Sequence, residues 1–328
     1  MTISLIDVEE LMPEKIIGND YFGEEEIRKT NRMFSGTNER RHIERDELAS
    51  DYIARAARAL MERLNLDPST DVDMILTNVS IPDEPFTGCG AVVNKKIGGR
   101  AKWIYDLHNT GCISFLYLTD LAHTYMLSKG VRHALICVAQ TAGGRIFGQE
   151  DTRQLAQAAI PGDGFAVAYV TNTDERPFLT FEFENFPEFS EDMKSSCSGR
   201  RWWESRETTG SIDFNENKSA MIIARGNKTV PRMIKKAAEN INIGLSDIDY
   251  LITNQPNQIF LRNWREAISL PPEKQLHSFD QYANLFGAAI PVNLATHIKK
   301  RTFKKNDLVC LAGFSHACDY SAASFIRW

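Results

Sequence analysis

The sequence predicts an α/β protein built from two similar halves. Apolar residues recur at helical spacing over residues 48–64, and the apolar run over 72–79 is typical of a buried strand. The same order of helix and strand returns at residues 231–240 and 249–253. Helices that alternate with buried strands are the pattern of an α/β fold.

The similarity of the halves extends along the chain. Residues 71–78 and 247–254 both have an acidic start, an apolar centre and a Thr-Asn end. Each segment is followed by a second strand and by a long helix, predicted at 113–127 in the first half and at 287–298 in the second, and then by another buried strand. This common order predicts a duplicated βα unit, because a solenoid would need at least three short repeats. Chance similarity of two βα units is the alternative.

Residues 177–212 interrupt this order with a segment rich in Glu, Phe and Ser that contains Trp202-Trp203. We therefore predict an N-terminal half over 1–176, an insertion or cap over 177–212, and a C-terminal half over 213–328. Apolar side chains of the cap would line a substrate entrance. An irregular surface loop anchored by its aromatic residues is the alternative interpretation.

The composition excludes several classes of protein. With 328 residues, 43% hydrophobic and 25% charged, the chain can bury a large core and is not a disordered or low-complexity sequence. The net charge of -5, with basic residues interspersed among acids, does not predict a nucleic-acid-binding surface. We predict no membrane span, and the N-terminal apolar run at residues 3–6 is too short for a signal peptide. We therefore expect a cytoplasmic protein.

The six cysteines fit neither a disulfide framework nor a zinc site, and we expect reduced thiols and no bound metal. Cys112 is distinctive because it follows Gly111 at the first turn of a predicted apolar helix. Free backbone N–H groups and the helix dipole favour a thiolate at such a position. From the spacing alone, a buried structural cysteine is an equal alternative.

A set of short motifs runs along the chain in a fixed order. They are the Arg-rich loop 35–43, Gly111-Cys112, the Pro-Gly-Asp-Gly segment 161–168, Asn-Gln-Pro-Asn at 254–257, the Ala-Asn segment 283–291, and the closing loop 313–317 with the terminal Arg327-Trp328. In this order and spacing they resemble the ketoacyl-acyl-carrier-protein synthase III family of thiolase-fold condensing enzymes. The resemblance covers nearly the whole chain.

The resemblance implies a layered α/β/α/β/α thiolase fold, with two active-site helices in its middle layer, and a homodimer. It also implies a two-step reaction in which Cys112 takes an acyl group from coenzyme A or an acyl carrier protein and a second substrate accepts it. The coenzyme A or phosphopantetheine thioester would be a substrate, and no permanently bound cofactor is implied.

Two asparagines match positions of the family's active site. Asn284 corresponds to the family's active-site Asn, whose amide binds a thioester carbonyl or a developing enolate; a turn-forming Asn is the alternative. Asn254 stands where the family has a His, and an amide polarises a carbonyl but cannot act as a general base. Losing one donor from such a site costs on the order of a hundredfold in rate, so Asn254 disfavours decarboxylative condensation.

His316 is the candidate replacement base, since it lies in the closing loop where the family has glycines. The resemblance assigns the backbone N–H of that loop to the oxyanion hole, a role that corresponds here to Ala317. A loop histidine that faces solvent or a dimer partner is the alternative for His316. His108, four residues before Cys112, is expected to share a strand face with Asp106 and to be a core imidazole.

Arg40 and Arg41 belong to the loop that in the family grips the nucleotide end of coenzyme A, and guanidinium groups bind phosphate in a bidentate manner. Docking of an acidic carrier protein is an equal alternative, and a solvated charge cluster is the other.

We therefore predict an acyltransferase that loads Cys112 from an acyl thioester and passes the acyl group to a small-molecule or carrier-bound acceptor. Transfer to oxygen, nitrogen or sulfur is favoured, and a specialised biosynthetic pathway is the expected setting by analogy. Carbon–carbon condensation is the first alternative. A non-catalytic partner subunit and a hydrolase are the others.

Overall fold

The computed structural model describes residues 2–23, 36–196, 210–214 and 219–328. The strands are β1 Ser4–Leu11, β2 Ile16–Gly18, β3 Glu39–Arg41, β4 Met74–Val79, β5 Trp103–Asp106, β6 His133–Gln140, β7 Gly164–Thr171, β8 Phe178–Asn185, β9 Met193–Ser196, β10 Ser211–Phe214, β11 Tyr250–Thr253, β12 Gln275–Leu276, β13 Leu308–Ser315 and β14 Tyr320–Arg327. The α-helices are α1 Ala49–Leu64, α2 Gly90–Ile97, α3 Ser114–Lys129, α4 Ser219–Asn240, α5 Gln258–Ala267, α6 Phe279–Tyr282 and α7 Ala289–Lys299. Trp202-Trp203 of the predicted cap and Cys197 lie outside the described residues.

Two five-stranded sheets repeat one topology. The first has the order β1-β7-β6-β4-β5 and the second the order β8-β14-β13-β11-β12. In both, the second strand of the half pairs in parallel with the third and the fourth, and the remaining pairs are antiparallel. The sheet order therefore confirms the predicted duplication of the halves.

The repeated topology moves one predicted boundary. β8 corresponds to β1 and pairs with β14 at the edge of the second sheet, so the C-terminal half begins at β8 and not at residue 213. The alternation of Phe181 and Phe183 with polar neighbours is a strand period that the prediction of a cap over 177–212 overlooked. The cap is narrower, and its two described strands, β9 and β10, form an antiparallel pair that is here called the cap hairpin.

The helices form three layers around the two sheets. α1 packs on the outer face of the first sheet and α4 on the outer face of the second, whereas α3 and α7 each contact strands of both sheets. One apolar cluster joins the two central helices to the facing sides of the sheets. This is the layered thiolase fold that the sequence predicts. No helix in the described ranges has the length and apolar character needed to cross a membrane.

Helix α4 is longer than predicted. It begins at Ser219, so Pro231 lies in its interior and not at its first turn. Proline is favoured at the first turn because its missing N–H has no partner there, and an interior proline costs about 3 kcal/mol. Burial of Ile222, Val230 and Met233 in the core beside the second sheet offsets that cost.

Candidate active site

Cys112 lies where the first sheet meets the central helices. β5 ends at Asp106, a short 3-10 turn spans Gly111–Ile113, and α3 follows directly. Gly111 has φ +39°, and a Cβ there would lie 2.4 Å from Ser315 Oγ and 2.9 Å from His316 Nε2. Only glycine therefore allows the closing loop to approach the backbone next to Cys112.

A cavity of about 330 Å³ opens beside Cys112. Cys112, Asn254, Asn284 and His316, all predicted as site residues, line it together. Its apolar wall comes from both halves and the cap hairpin, with Ala139, Phe147, Ile160, Met193, Ile212 and Phe286. The cavity can therefore hold an apolar acyl group next to the thiol, and the cap hairpin contributes to its wall.

Cys112 is the partly exposed residue among the cysteines that the structure describes. The other four described cysteines are buried free thiols. Enclosure of the sulfur raises the pKa of Cys112 to about 12, although hydrogen bonds from the His316 backbone and the Asn254 side chain act in the opposite direction. Burial therefore disfavours the thiolate that the helix start was expected to favour. Attack by this sulfur requires a base.

The side chain of Asn254 links two strand ends and also lies next to the Cys112 sulfur. It is fully buried, its Nδ2 donates to the carbonyl oxygen of Phe314 at 2.9 Å, and its Oδ1 accepts from the N–H of Phe314 at 3.3 Å. These two bonds tie the end of β11 to the end of β13. Asn254 therefore holds the closing loop against Cys112 and has less donor capacity for a substrate.

The side-chain amide of Asn284 stabilises a turn through its oxygen and leaves its nitrogen as a hydrogen-bond donor. Its Oδ1 accepts from the N–H of Phe286 at 3.0 Å, and its own backbone is bonded to Ile160 and Gly162. The turn role considered for this residue is therefore present. Because the oxygen is engaged, the Nδ2 group is the part of the amide left to bind a carbonyl oxygen in the cavity.

His316 lies on the turn of the hairpin formed by β13 and β14, here called the closing hairpin. Its backbone is left-handed, with φ +49°. Its Nδ1 is 3.1 and 3.2 Å from the two carboxylate oxygens of Asp319, whose side chain is 7% exposed. Its Nε2 faces Gly111. The structure thus places the imidazole beside the Cys112 turn.

The expected oxyanion hole differs in two respects. Ala317 is fully buried in the core of the second sheet, so the loop N–H next to the sulfur belongs to His316 and the prediction of Ala317 is wrong by one residue. The N–H of Cys112 donates to Ser315 Oγ at 3.0 Å. That N–H is therefore occupied by a side chain that replaces one of the family's glycines.

The prediction that Arg40 contacts coenzyme A is wrong. Its side chain is 0% exposed and donates to the carbonyl oxygens of Ile17 and Ala159 and to Asn19 Oδ1. Arg41 is half-buried and donates to the loop carbonyls of residues 13 and 14. The two arginines organise the N-terminal loop, and neither lines the cavity beside Cys112.

His108 also differs from its expected core position. β5 ends at Asp106, and the Asp106 carboxylate accepts from the N–H groups of Cys89 and Gly90 at the start of α2. His108 follows in a loop, is exposed, and lines the cavity. The prediction that Asp106 and His108 share one face of a strand is wrong, because the strand ends at Asp106, before His108.

Sequence reasoning missed Ser315, Asp319 and the cap hairpin. A His followed three residues later by an Asp in a tight turn was the available signal for Asp319. Ser315 could be assigned only once its contact with Cys112 was known. Within the described ranges, no group of three or more His, Cys, Asp and Glu side chains could hold a metal ion.

The chain matches known proteins along its length. Residues 238–328 match the family model described as 3-oxoacyl-[acyl-carrier-protein (ACP)] synthase III C terminal. The beta-ketoacyl-[acyl-carrier-protein] synthase III of Thermosynechococcus vestitus is 28% identical over 303 residues, which cover 90% of this chain and 88% of that protein. The protein of the same name from Syntrophomonas wolfei is 24% identical, with 100% of this chain and 98% of that protein covered.

Solved structures share the fold. The 3-oxoacyl-(acyl carrier protein) synthase III of Pseudomonas aeruginosa PAO1 superposes with a TM-score of 0.87 at 18% identity, covering 100% of this chain and 98% of that chain. A variant of OleA from Xanthomonas campestris has a TM-score of 0.81 at 15% identity, with 100% and 97% covered.

The duplicated sheets and the two central helices define a thiolase-fold protein. Within that class, the chain is related over nearly its whole length to the ketoacyl-acyl-carrier-protein synthase III family, as its motifs predicted.

Proposed function

We propose that the protein is an acyltransferase that forms an acyl thioester on Cys112 and passes the acyl group to an oxygen, nitrogen or sulfur nucleophile. The observation that carries this proposal is the shared cavity of Cys112 and His316, with Asn254 in the place of the family's His. The donor would be an acyl-coenzyme A or an acyl carrier protein, as the names of the related synthases suggest for the carrier. No permanently bound cofactor enters this reaction.

The first step transfers the acyl group to the enzyme. His316 Nε2 accepts the thiol proton, the sulfur attacks the thioester carbonyl, and the bond to the leaving thiol breaks as that thiol takes the proton back. Asn284 Nδ2 would donate to the developing oxyanion. In the second step the acceptor gives its proton to His316 and attacks the acyl group, the bond between the carbonyl carbon and the Cys112 sulfur breaks, and the sulfur takes the proton from His316 to restore the resting thiol.

The two asparagines support simple transfer over decarboxylative condensation. Stabilising a carbanion after loss of carbon dioxide needs strong donors, and one of the two N–H donors of the Asn254 amide is already bonded to Phe314. An acceptor with its own proton needs only a base and an open cavity. Condensation stays the second candidate because the related proteins are named as ketoacyl synthases.

A homodimer belongs to the same proposal. β5 is the edge strand of the first sheet. Three large apolar side chains near this edge are exposed: Phe86 by 95%, Val92 by 42% and Tyr105 by 37%. Unpaired strand edges beside apolar side chains are templates for association, so a second copy of the chain is the expected partner.

The test is the intact mass of the protein after incubation with a panel of acyl-coenzyme A and acyl-carrier-protein donors. We expect an added acyl mass in the wild type and in Cys89→Ala, which loses a thiol outside the cavity, and none in Cys112→Ala. Hydroxyl, amine and thiol acceptors should then discharge the acyl-enzyme.

Other results assign other functions. A ketoacyl product from a malonyl donor would establish condensation. Spontaneous loss of the adduct in buffer would indicate a hydrolase. The absence of an adduct with every donor would overturn the proposal in favour of a non-catalytic partner subunit.

A further inference from the structure

Asp319 belongs to none of the motifs that match the family, yet its side chain contacts the imidazole of the candidate base directly. Both of its carboxylate oxygens face His316 Nδ1, at 3.1 and 3.2 Å. A carboxylate only accepts hydrogen bonds, so Nδ1 must carry the proton. The neutral imidazole then has its lone pair on Nε2, the nitrogen that faces Gly111 and the Cys112 turn.

Asp319 is itself held rigidly. Its backbone carbonyl accepts from the N–H of Phe186 at 2.7 Å and from Asn185 Nδ2 at 3.1 Å, so the end of β8 fixes the turn. Its side chain is 7% exposed, against 32% for His316. The carboxylate is therefore fixed in position and largely buried, and the imidazole that contacts it extends towards the cavity.

The backbone of the turn indicates that the arrangement is maintained against strain. His316 has φ +49°, a conformation that costs an L-residue about 1–2 kcal/mol. Glycine would adopt it freely. Strained residues of this kind cluster where geometry serves function, and here the strained residue is the one that carries the imidazole.

We propose that Asp319 is a positioning residue that fixes the tautomer and direction of His316, so that the closing hairpin supplies a Cys112–His316–Asp319 relay in place of the base absent at Asn254. This assignment rests on the proposed function, in which Cys112 carries the acyl group. The proton moves from the thiol to Nε2 and later to the leaving thiol, while Asp319 stays unprotonated and holds the imidazolium.

The electrostatics agree with such a relay. The negative charge of Asp319 raises the pKa of Cys112, so it disfavours a thiolate that forms without a cation. A base close to the sulfur is therefore needed to take the thiol proton, and the imidazole that the geometry places beside the Cys112 turn is that of His316.

The test is a double-mutant cycle on the rate of acyl loading, with Asp319→Asn, His316→Gly and the double variant. Glycine suits the left-handed backbone at residue 316, so that variant should fold. We expect each single variant to load about 100-fold more slowly, with an unchanged KM for the donor. In the His316→Gly background, Asp319→Asn should change the rate by no more than about twofold.

Controls separate positioning from general damage. His297→Asn removes an imidazole whose Nδ1 contacts Thr302 Oγ1 at the end of α7, outside the cavity lining, and should load normally. His316→Asn gives a second background, because asparagine also tolerates the left-handed conformation. An equal effect of Asp319→Asn with and without His316, or no effect at all, would overturn the assignment.

Alkylation of Cys112 by iodoacetamide separates this inference from the proposed function. If the wild type loads from no donor, the proposed function fails, and the same cycle is measured on the alkylation rate. Slower alkylation in Asp319→Asn only when His316 is present supports the relay. An alkylation rate that is the same in the wild type, the two single variants and the double variant would reject the relay.

Discussion

At the scale of single residues, the burial of a charged group decides whether it binds a ligand or holds the fold. Arg40 has the charge expected of a phosphate ligand, but its guanidinium donates to three oxygen atoms from two separate segments, those of Ile17, Asn19 and Ala159. Arg41, its neighbour in β3, points to a nearby loop. The two adjacent arginines therefore have different structural roles, which their common charge cannot reveal.

Arg40→Ala should lower the free energy of unfolding by about 3 kcal/mol, because it leaves two buried carbonyl oxygens and Asn19 Oδ1 without their charged donor. The KM for an acyl-coenzyme A should not change. Urea unfolding and donor kinetics measure the two quantities.

Arg41→Ala is the matched control, and its loss of stability should stay under about 1 kcal/mol since one of its two bonds is exposed and the other is only partly buried. If Arg40→Ala instead raised the KM of the donor and left stability unchanged, Arg40 would be a ligand contact after all.

At the scale of elements, the site depends on the short distance between the starts of the two central helices, α3 and α7. The segment before α7 packs on the turn before α3, and a Cβ at Gly287 would lie 2.5 Å from Ser114 Oγ and 2.6 Å from the carbonyl oxygen of Gly111. The contact brings Asn284 and Cys112, which belong to different halves, to one cavity.

Gly287→Ala should therefore push the two helix starts apart. We expect a loss of about 1–3 kcal/mol in unfolding free energy from overpacking. Loading of Cys112 should fall about 10- to 100-fold, because misplacement of reacting groups by a fraction of an ångström to an ångström is costly. Urea unfolding and intact-mass kinetics measure both.

Gly244→Ala provides the comparison, since its φ is -82° and a Cβ there meets its nearest atom, the flexible Asp247 Oδ2, at 3.3 Å. Its effect on stability should stay within about 0.5 kcal/mol, with normal loading. Normal loading in Gly287→Ala would show that the helix approach does not set the reaction geometry.

At the scale of the whole molecule, duplication places the chemistry between the halves. The first half provides Cys112 and the second provides Asn254, Asn284, His316 and Asp319. The first sheet ends at the edge strand β5, and the exposed apolar side chains lie near this edge. A second copy at this edge would extend the first sheet across both protomers.

Phe86→Glu should weaken this self-association by at least about tenfold, since it places a charge in an apolar contact. Light scattering at micromolar protein concentration should show a dimer for the wild type and a shift towards monomer for the variant. Leu127→Glu changes an apolar side chain that is 58% exposed on α3 and should remain dimeric. A monomeric wild type would contradict the proposed edge contact.

The sequence by itself determined the order of helices and strands, the duplication and the position of Cys112 at a helix start, because these depend on local periodicity and on residues close in the chain. It also brought Asn254, Asn284 and His316 into consideration, through motifs whose order is linear. It misplaced the start of the second half, where the cap hairpin separates β8 from α4 and the alternation of Phe181 and Phe183 with polar residues was overlooked.

Only the tertiary structure decided the state and partners of the site. The pKa of Cys112 depends on desolvation by groups from both halves, and Arg40 is excluded from ligand binding by segments distant in sequence. The contacts of Ser315 with Cys112 and of Asn254 with Phe314 join residues far apart in the chain, and the contact of His316 with Asp319 depends on the left-handed turn between them. Such properties arise from three-dimensional proximity, which no local pattern encodes.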